Sequence, residues 1–245
     1  MFVHEDTLFC KINLNYRHIK IMKNKNFIKQ SLPASTLLSA NIATAQIPVE
    51  QEPHHKILFE NEYIRILDLN IAPDDTTLIH THNAASVVVF LSNSTFGIQD
   101  GGEPPVETPV RPGDIIYRAY DEKPVVHTVW NPRKSMFHCL VVELLNHHSA
   151  KDNNTIISLP GIKFQWQQKL VTANKFEVEK GKQCDIPGSA LTYLLIDFSG
   201  IATVASAGNM QSLQPGDFVF FPPQSKIIIN GIDKENAGCV LLVLK

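Results

Sequence analysis

Pro112-Gly113-Asp114 recurs as Pro215-Gly216-Asp217, and the rest of the chain takes its order from that recurrence. About the same distance beyond each copy stands an apolar run that opens on cysteine. The first is Cys139-Leu140-Val141-Val142-Glu143-Leu144 and the second Cys239-Val240-Leu241-Leu242-Val243-Leu244. Two motifs repeated in one order at nearly the same spacing imply a single structural unit present twice. Residues 147–159 between them are polar, carrying His147, His148, Ser149, Asp152, Asn153 and Asn154, and read as a linker. This divides the chain into a leader over 1–45, a first unit over 46–146 and a second over 160–245.

From Leu58 onward, short runs rich in Val, Ile, Leu, Phe and Tyr alternate with Gly, Pro, Asn and Asp, and no stretch sustains a 3.6-residue apolar period. Eleven such runs, from Tyr63–Asn70 to Cys239–Leu244, predict an all-β chain folded as two small barrels. The composition agrees: 245 residues, 44% hydrophobic and 19% charged, describe an ordinary globular chain. A formal net charge of -2 supplies no basic field for a phosphate backbone, which argues against nucleic acid as a partner. No apolar run reaches the roughly 18 residues of a membrane-spanning helix, so no integral membrane segment is expected in the mature chain. Beyond the leader, Cys139, Cys184 and Cys239 are an odd set that makes no disulfide framework. Cys139 and Cys239 are expected as small core residues.

The leader has its own pattern. From Met22, Lys23, Lys25 and Lys29 precede an uncharged stretch from Leu32 to Ile42, which ends at Ala43-Thr44-Ala45. A basic start, a short apolar stretch and an A-x-A site are the parts of a secretory signal peptide. The expectation is cleavage after Ala45, a true start at Met22 and a periplasmic destination. A disordered tail on a cytoplasmic protein is the alternative.

The first unit contains His80-Thr81-His82, Ser86 four positions after His82, Asn93, then Gly113, His127 and Asn131. This series resembles the two motifs of the cupin superfamily, G-x5-H-x-H-x3-E-x6-G and G-x5-P-x-G-x2-H-x3-N. Asp74, Ser86 and Asn93 stand where the first motif has its Gly, Glu and closing Gly, and Ala119 replaces the proline of the second. In the second unit Gly181, Gly200, Gly216 and Pro222 keep scaffold positions. Pro187, Ser189, Tyr193 and Ile227 occupy those of the ligands. The resemblance is therefore to a two-domain bicupin. It implies tandem double-stranded β-helix, or jelly-roll, barrels, the first binding metal and the second degenerate.

Residues two apart on a strand share a face, so His80 and His82 can point into one barrel interior, with His127 arriving from another strand. Three imidazoles suit Fe, Zn, Ni or Cu and leave open positions; without the carboxylate, Mn is held less well. The same parity puts Ser86, Val88 and Phe90 along the pocket beside the metal. The site's positive character favours an anionic or chelating small molecule. Arg65, Arg118, Tyr117, Tyr120 and Trp130 are candidates for its wall, their facing left open. His54 and His55, like His147 and His148, read as solvated, and Asn131 as a turn residue. No general acid or base is identified beside the histidines. Two functions remain: an exported metal-dependent oxygenase, isomerase or similar enzyme on a small organic molecule, and a non-catalytic small-ligand binder that uses its second barrel for packing or homodimerisation.

Overall fold

Side chains alternate across extended strands, and the punctuation of Gly, Pro, Asn and Asp keeps those strands short. The computed structural model describes residues 46–146, 156–232 and 236–245. The signal peptide expected within 1–45 and most of the linker expected at 147–159 lie outside the described residues. Among the described residues the one helical turn is the 3-10 segment Val49–Gln51.

The first half forms β1 (Ile47–Pro48), β2 (His55–Glu60), β3 (Ile64–Ile71), β4 (His80–His82) and β5 (Ala85–Phe90). It continues with β6 (Ser94–Asp100), β7 (Val106–Val110), β8 (Ile115–Arg118), β9 (Val125–Trp130) and β10 (Phe137–Leu144). The second half forms β11 (Lys163–Gln167), β12 (Val171–Val178), β13 (Gln183–Ile186), β14 (Thr192–Ser199) and β15 (Ala202–Ser206). It ends with β16 (Asn209–Leu213), β17 (Phe218–Phe221), β18 (Ile227–Gly231) and β19 (Ala237–Leu244).

Each half is a pair of sheets. The first combines the orders β1-β4-β9-β6-β7 and β2-β3-β10-β5-β8, the second β13-β18-β15-β16 and β11-β12-β19-β14-β17. Apart from β1, every strand of the first half has its counterpart nine strands later in the same sheet position. The two cysteine runs are the central strands β10 and β19. The two Pro-Gly-Asp turns are built alike. Gly113 (φ 79°) and Gly216 (φ 97°) take the left-handed conformation that glycine adopts without strain. The Asp114 and Asp217 carboxylates accept the backbone N–H of Arg111 and Gln214 at 2.8 and 3.0 Å. The glycine N–H groups donate to the carbonyls of Phe90 and Asp197 across the turn.

The near-continuous apolar character of β10 and β19 follows from burial on both faces. From β10, Phe137, Cys139 and Val141 pack inside the first barrel with Leu69, Ile71, Phe90 and Phe96. Its other face, Leu140, Val142 and Leu144, packs with Ile64, Ile66, Val87 and Val89 against Leu194, Ile196, Val240 and Leu242 of the second half. The sheets β2-β3-β10-β5-β8 and β11-β12-β19-β14-β17 thus meet face to face in a core shared by both barrels. Phe59 against Phe218 and Phe220, and Tyr117 against Trp166, close its margins. Tyr117 consequently belongs to this contact and not to a pocket wall. The second barrel has its own apolar filling, including Phe176, Tyr193, Leu195, Ile227, Ile229 and Leu241.

Several strands, among them β2, β4, β7, β13 and β16, fall outside the runs expected from the sequence because they are short or largely polar. Among the described residues, no helix is long and apolar enough to cross a membrane.

Candidate metal centre

Strands β4 and β9 pair antiparallel with His80 directly opposite His127, and His82 follows His80 on the same face. All three histidines are buried. Their ring centroids stand 4.7 Å (His80–His127), 5.0 Å (His82–His127) and 5.1 Å (His80–His82) apart. The structure adds a fourth. His55, expected to be solvated, is only 5% exposed, with its ring 4.8 Å from that of His80. One donor nitrogen from each of His55, His80 and His82 lies within 4.8 Å of the others. His55 belongs to β2, in the opposite sheet, so the cluster is assembled across the barrel. A strand that packs by tertiary contact alone leaves no local spacing in the sequence, so nothing around His55 along the chain marks it as a member of the cluster. Its neighbour His54 is half-buried and bonded to Glu52 and Asp75.

Hydrogen bonds orient the rings. His55 Nδ1 lies 2.7 Å from the Glu52 carboxylate, His80 Nδ1 2.8 Å from the Leu78 carbonyl and His127 Nδ1 3.3 Å from Asp100 Oδ1. Each partner can only accept, so each Nδ1 carries the proton and the Nε2 of the neutral ring is a bare lone pair. The Nε2 atoms of His80 and His127 are 3.1 Å apart. Burial holds both rings neutral: it lowers His80 to about 4, and burial together with the other histidines lowers His127 to about 2. Burial also lowers His55, against the raising effect of Glu52. Converging neutral imidazole lone pairs, with acceptors behind them, are the donor set that a divalent transition metal requires.

Carboxylates surround the histidines without lining the space between them. Glu52 accepts hydrogen bonds from both His54 and His55 and from the Leu78 N–H. Burial works against its charge, but these bonds prevail and hold it at about 2. Glu143 is buried in β10 opposite Ser86 of β5. Its Oε1 stands 3.7 Å from His82 Nδ1, and neither atom has a hydrogen-bond partner. Its Oε2 accepts from Arg65 at 2.9 Å, and Arg65 also pairs with Glu60 at 2.7 Å.

A cavity of about 50 Å³ adjoins the cluster, lined by His55, His82 and His127 and by apolar side chains that include Val88, Phe90, Phe96, Ile98 and Val129. Of the expected pocket residues, Val88 and Phe90 are on its wall. Ser86 is not; it is wholly buried, its hydroxyl donating to the Ala84 carbonyl at 2.9 Å. Tyr120 and Arg118 complete the lining. The Tyr120 ring lies 5.2 Å from His82, and burial pushes its hydroxyl up to about 12, leaving it protonated. Arg65 is taken up by its carboxylates, and Trp130 points to Glu107. Asn131 is a buried turn residue, its amide donating to the carbonyls of Ile71 and Ser135.

In the second barrel the corresponding strands β13 and β18 oppose Ile186 to Ile227, where β4 and β9 oppose His80 to His127. No histidine follows His148 in the chain.

No protein-family model and no curated protein sequence matches this chain. Solved structures do. A cupin 2 conserved barrel domain protein from Leptotrichia buccalis is similar at 12% identity and TM-score 0.51, over 78% of this chain and 88% of that one. A salicylate 1,2-dioxygenase from Pseudaminobacter salicylatoxidans is similar at 11% identity and TM-score 0.56, over 80% and 77%. An oxalate decarboxylase from Bacillus subtilis, described by its Mn(II) centres, is similar at 12% identity and TM-score 0.53, over 76% and 70%. At these identities the likeness is one of architecture, and it agrees with the strand order: the chain is built of two tandem cupin barrels.

Proposed function

We propose that the first barrel binds a divalent transition metal through ring nitrogens of His80, His82 and His127, with His55 as a fourth donor, and that the ion serves chemistry on a small organic molecule in the adjoining cavity. The observation that carries this reading is the 3.1 Å approach of the His80 and His127 Nε2 atoms, both left bare by the acceptors on Nδ1. Two lone pairs at that distance repel unless a cation lies against them. Bound there, an ion supplies Lewis-acid polarisation or a site for dioxygen. The chain's own residues do the rest: Glu52, Asp100 and the Leu78 carbonyl hold the rings, the apolar wall excludes water, and Tyr120 offers a hydroxyl donor.

Nitrogen donors favour Fe, Ni, Cu or Zn, and manganese is named in one structural neighbour. A second reading, a binding protein without catalysis, is favoured by one observation: no carboxylate lines the cavity to act as general base. The second barrel, which opposes Ile186 to Ile227 where the first opposes His80 to His127, serves packing in either case. Export is part of the proposal, resting on the sequence of residues 22–45, and N-terminal sequencing of the mature protein tests it.

Elemental analysis of the purified protein beside a His80→Ala, His82→Ala, His127→Ala variant tests the metal. Near-stoichiometric metal in the first and none in the second is the expected result. Metal in neither, with no thermal stabilisation on adding Fe, Zn, Ni or Cu, would favour the metal-free binder.

A further inference from the structure

We propose that the cavity takes a small organic anion, a short carboxylate with an apolar body, and that Arg118 selects for its charge. The inference rests on the metal-site reading for what lies at the other end of the ligand, but the group that recognises the charge, Arg118, is not one of the proposed metal donors.

Four ladder partners fall in one row across the sheet: Arg65, Glu143, Ser86 and Arg118. Directly opposed residues share a face, so the row presents two arginines to the barrel interior. Their situations are opposite. Arg65 is neutralised by Glu60 and Glu143, with Glu50 at 3.7 Å. Arg118 has no ion pair or hydrogen bond among the described residues, although it lines the cavity. It is the one permanently charged side chain in that lining, and no carboxylate shares the wall with it. It is exposed, which places it at the mouth, while Val88, Phe90, Phe96 and Ile98 form walls further in. The Tyr120 hydroxyl beside it makes no hydrogen bond to the described residues.

A guanidinium presents a planar fork that matches a carboxylate in a charge-assisted, two-point pair, and at the mouth it holds the anionic end while the apolar walls further in take the rest of the ligand. Apart from Arg118, Tyr120 and the histidines the walls are apolar, so the ligand's body is apolar, and the cavity volume keeps it short. A neutral isostere would leave the guanidinium unmatched, so the site discriminates by charge more than by shape.

The test is a ligand-observed NMR titration of the full chain with propionate and with propionamide, for wild type and Arg118→Gln, with and without cobalt(II). Arg118 touches none of the histidine hydrogen bonds, and cobalt stoichiometry together with circular dichroism confirms that the variant is folded and loaded. The expected result is propionate binding stronger than propionamide binding in wild type. In Arg118→Gln, propionate should weaken at least about tenfold, with cobalt uptake unchanged. Equal propionate affinity in the two proteins, equal affinity for propionate and propionamide, or no propionate binding at all would overturn the proposal. Failure to take up cobalt would instead count against the metal site, and Arg118-dependent propionate binding to the metal-free protein would still support the anion site.

Discussion

Glu143 stands directly across the β10–β5 ladder from Ser86, so the carboxylate missing from position 86 is present on the same face one strand away. Its free oxygen faces the one Nδ1 of the cluster that lacks an acceptor, His82 Nδ1 at 3.7 Å. The other oxygen of Glu143 is held by Arg65 at 2.9 Å.

If the histidines hold the proposed metal, Glu143 is the carboxylate placed to influence it through His82. Glu143→Gln removes the charge nearest His82 Nδ1 and is expected to lower metal affinity by up to about tenfold, the low end of what a hydrogen-bonded partner behind a ligating histidine is worth, since the two atoms stand 3.7 Å apart. Competition with a chromophoric chelator measures this. An unchanged affinity would show that His82 is oriented without Glu143.

Acid should unfasten the other side of the cluster. Glu52 holds its charge down to about pH 2 in the folded protein against an ordinary value of 4.5. A lowered carboxylate value contributes stability that is complete above pH 4.5 and is lost as pH falls toward 2, here about 2–3 kcal/mol. Urea unfolding of wild type and Glu52→Gln should show wild type more stable at pH 6, with the difference shrinking at pH 3.

Asp197 works in the opposite sense. It is wholly buried in β14, one carboxylate oxygen accepting from the Ser199 N–H and the other without a partner. Burial pushes it up to about 7. A raised carboxyl value favours the folded state at low pH and loses that advantage between pH 3.8 and 7, where the unfolded chain ionises freely, at a cost of up to about 4 kcal/mol. Asp197→Asn removes the ionisation. Its melting temperature relative to wild type should be higher at pH 8 than at pH 4, by several degrees in differential scanning calorimetry.

The shared core predicts that the barrels depend on each other. Ile64, Ile66, Val87, Val89, Leu140 and Val142 are covered by the second half, and residues 46–146 alone would expose them as one apolar face. The fragment is expected to aggregate or dimerise in light scattering, and a well-behaved monomer would contradict this. In the full chain, Leu140→Ala should cost about 2–5 kcal/mol, as for other buried leucines.

The order of residues along the chain is enough to set the repeat, the all-β class and the common face of His80 and His82. These are properties of local spacing: a turn needs its glycine and aspartate in fixed order, and strand alternation puts residues two apart on one face. The tertiary structure alone decided the membership of the site. His55 and Glu143 come from β2 and β10, strands of the sheet facing the one that carries His80, His82 and His127, and no interval along the chain encodes an approach across a barrel. It also decided the destination of the two cysteine runs. Their continuous apolar character said only that both faces are buried; that the second face of each is covered by the other barrel follows from how the two sheets pack.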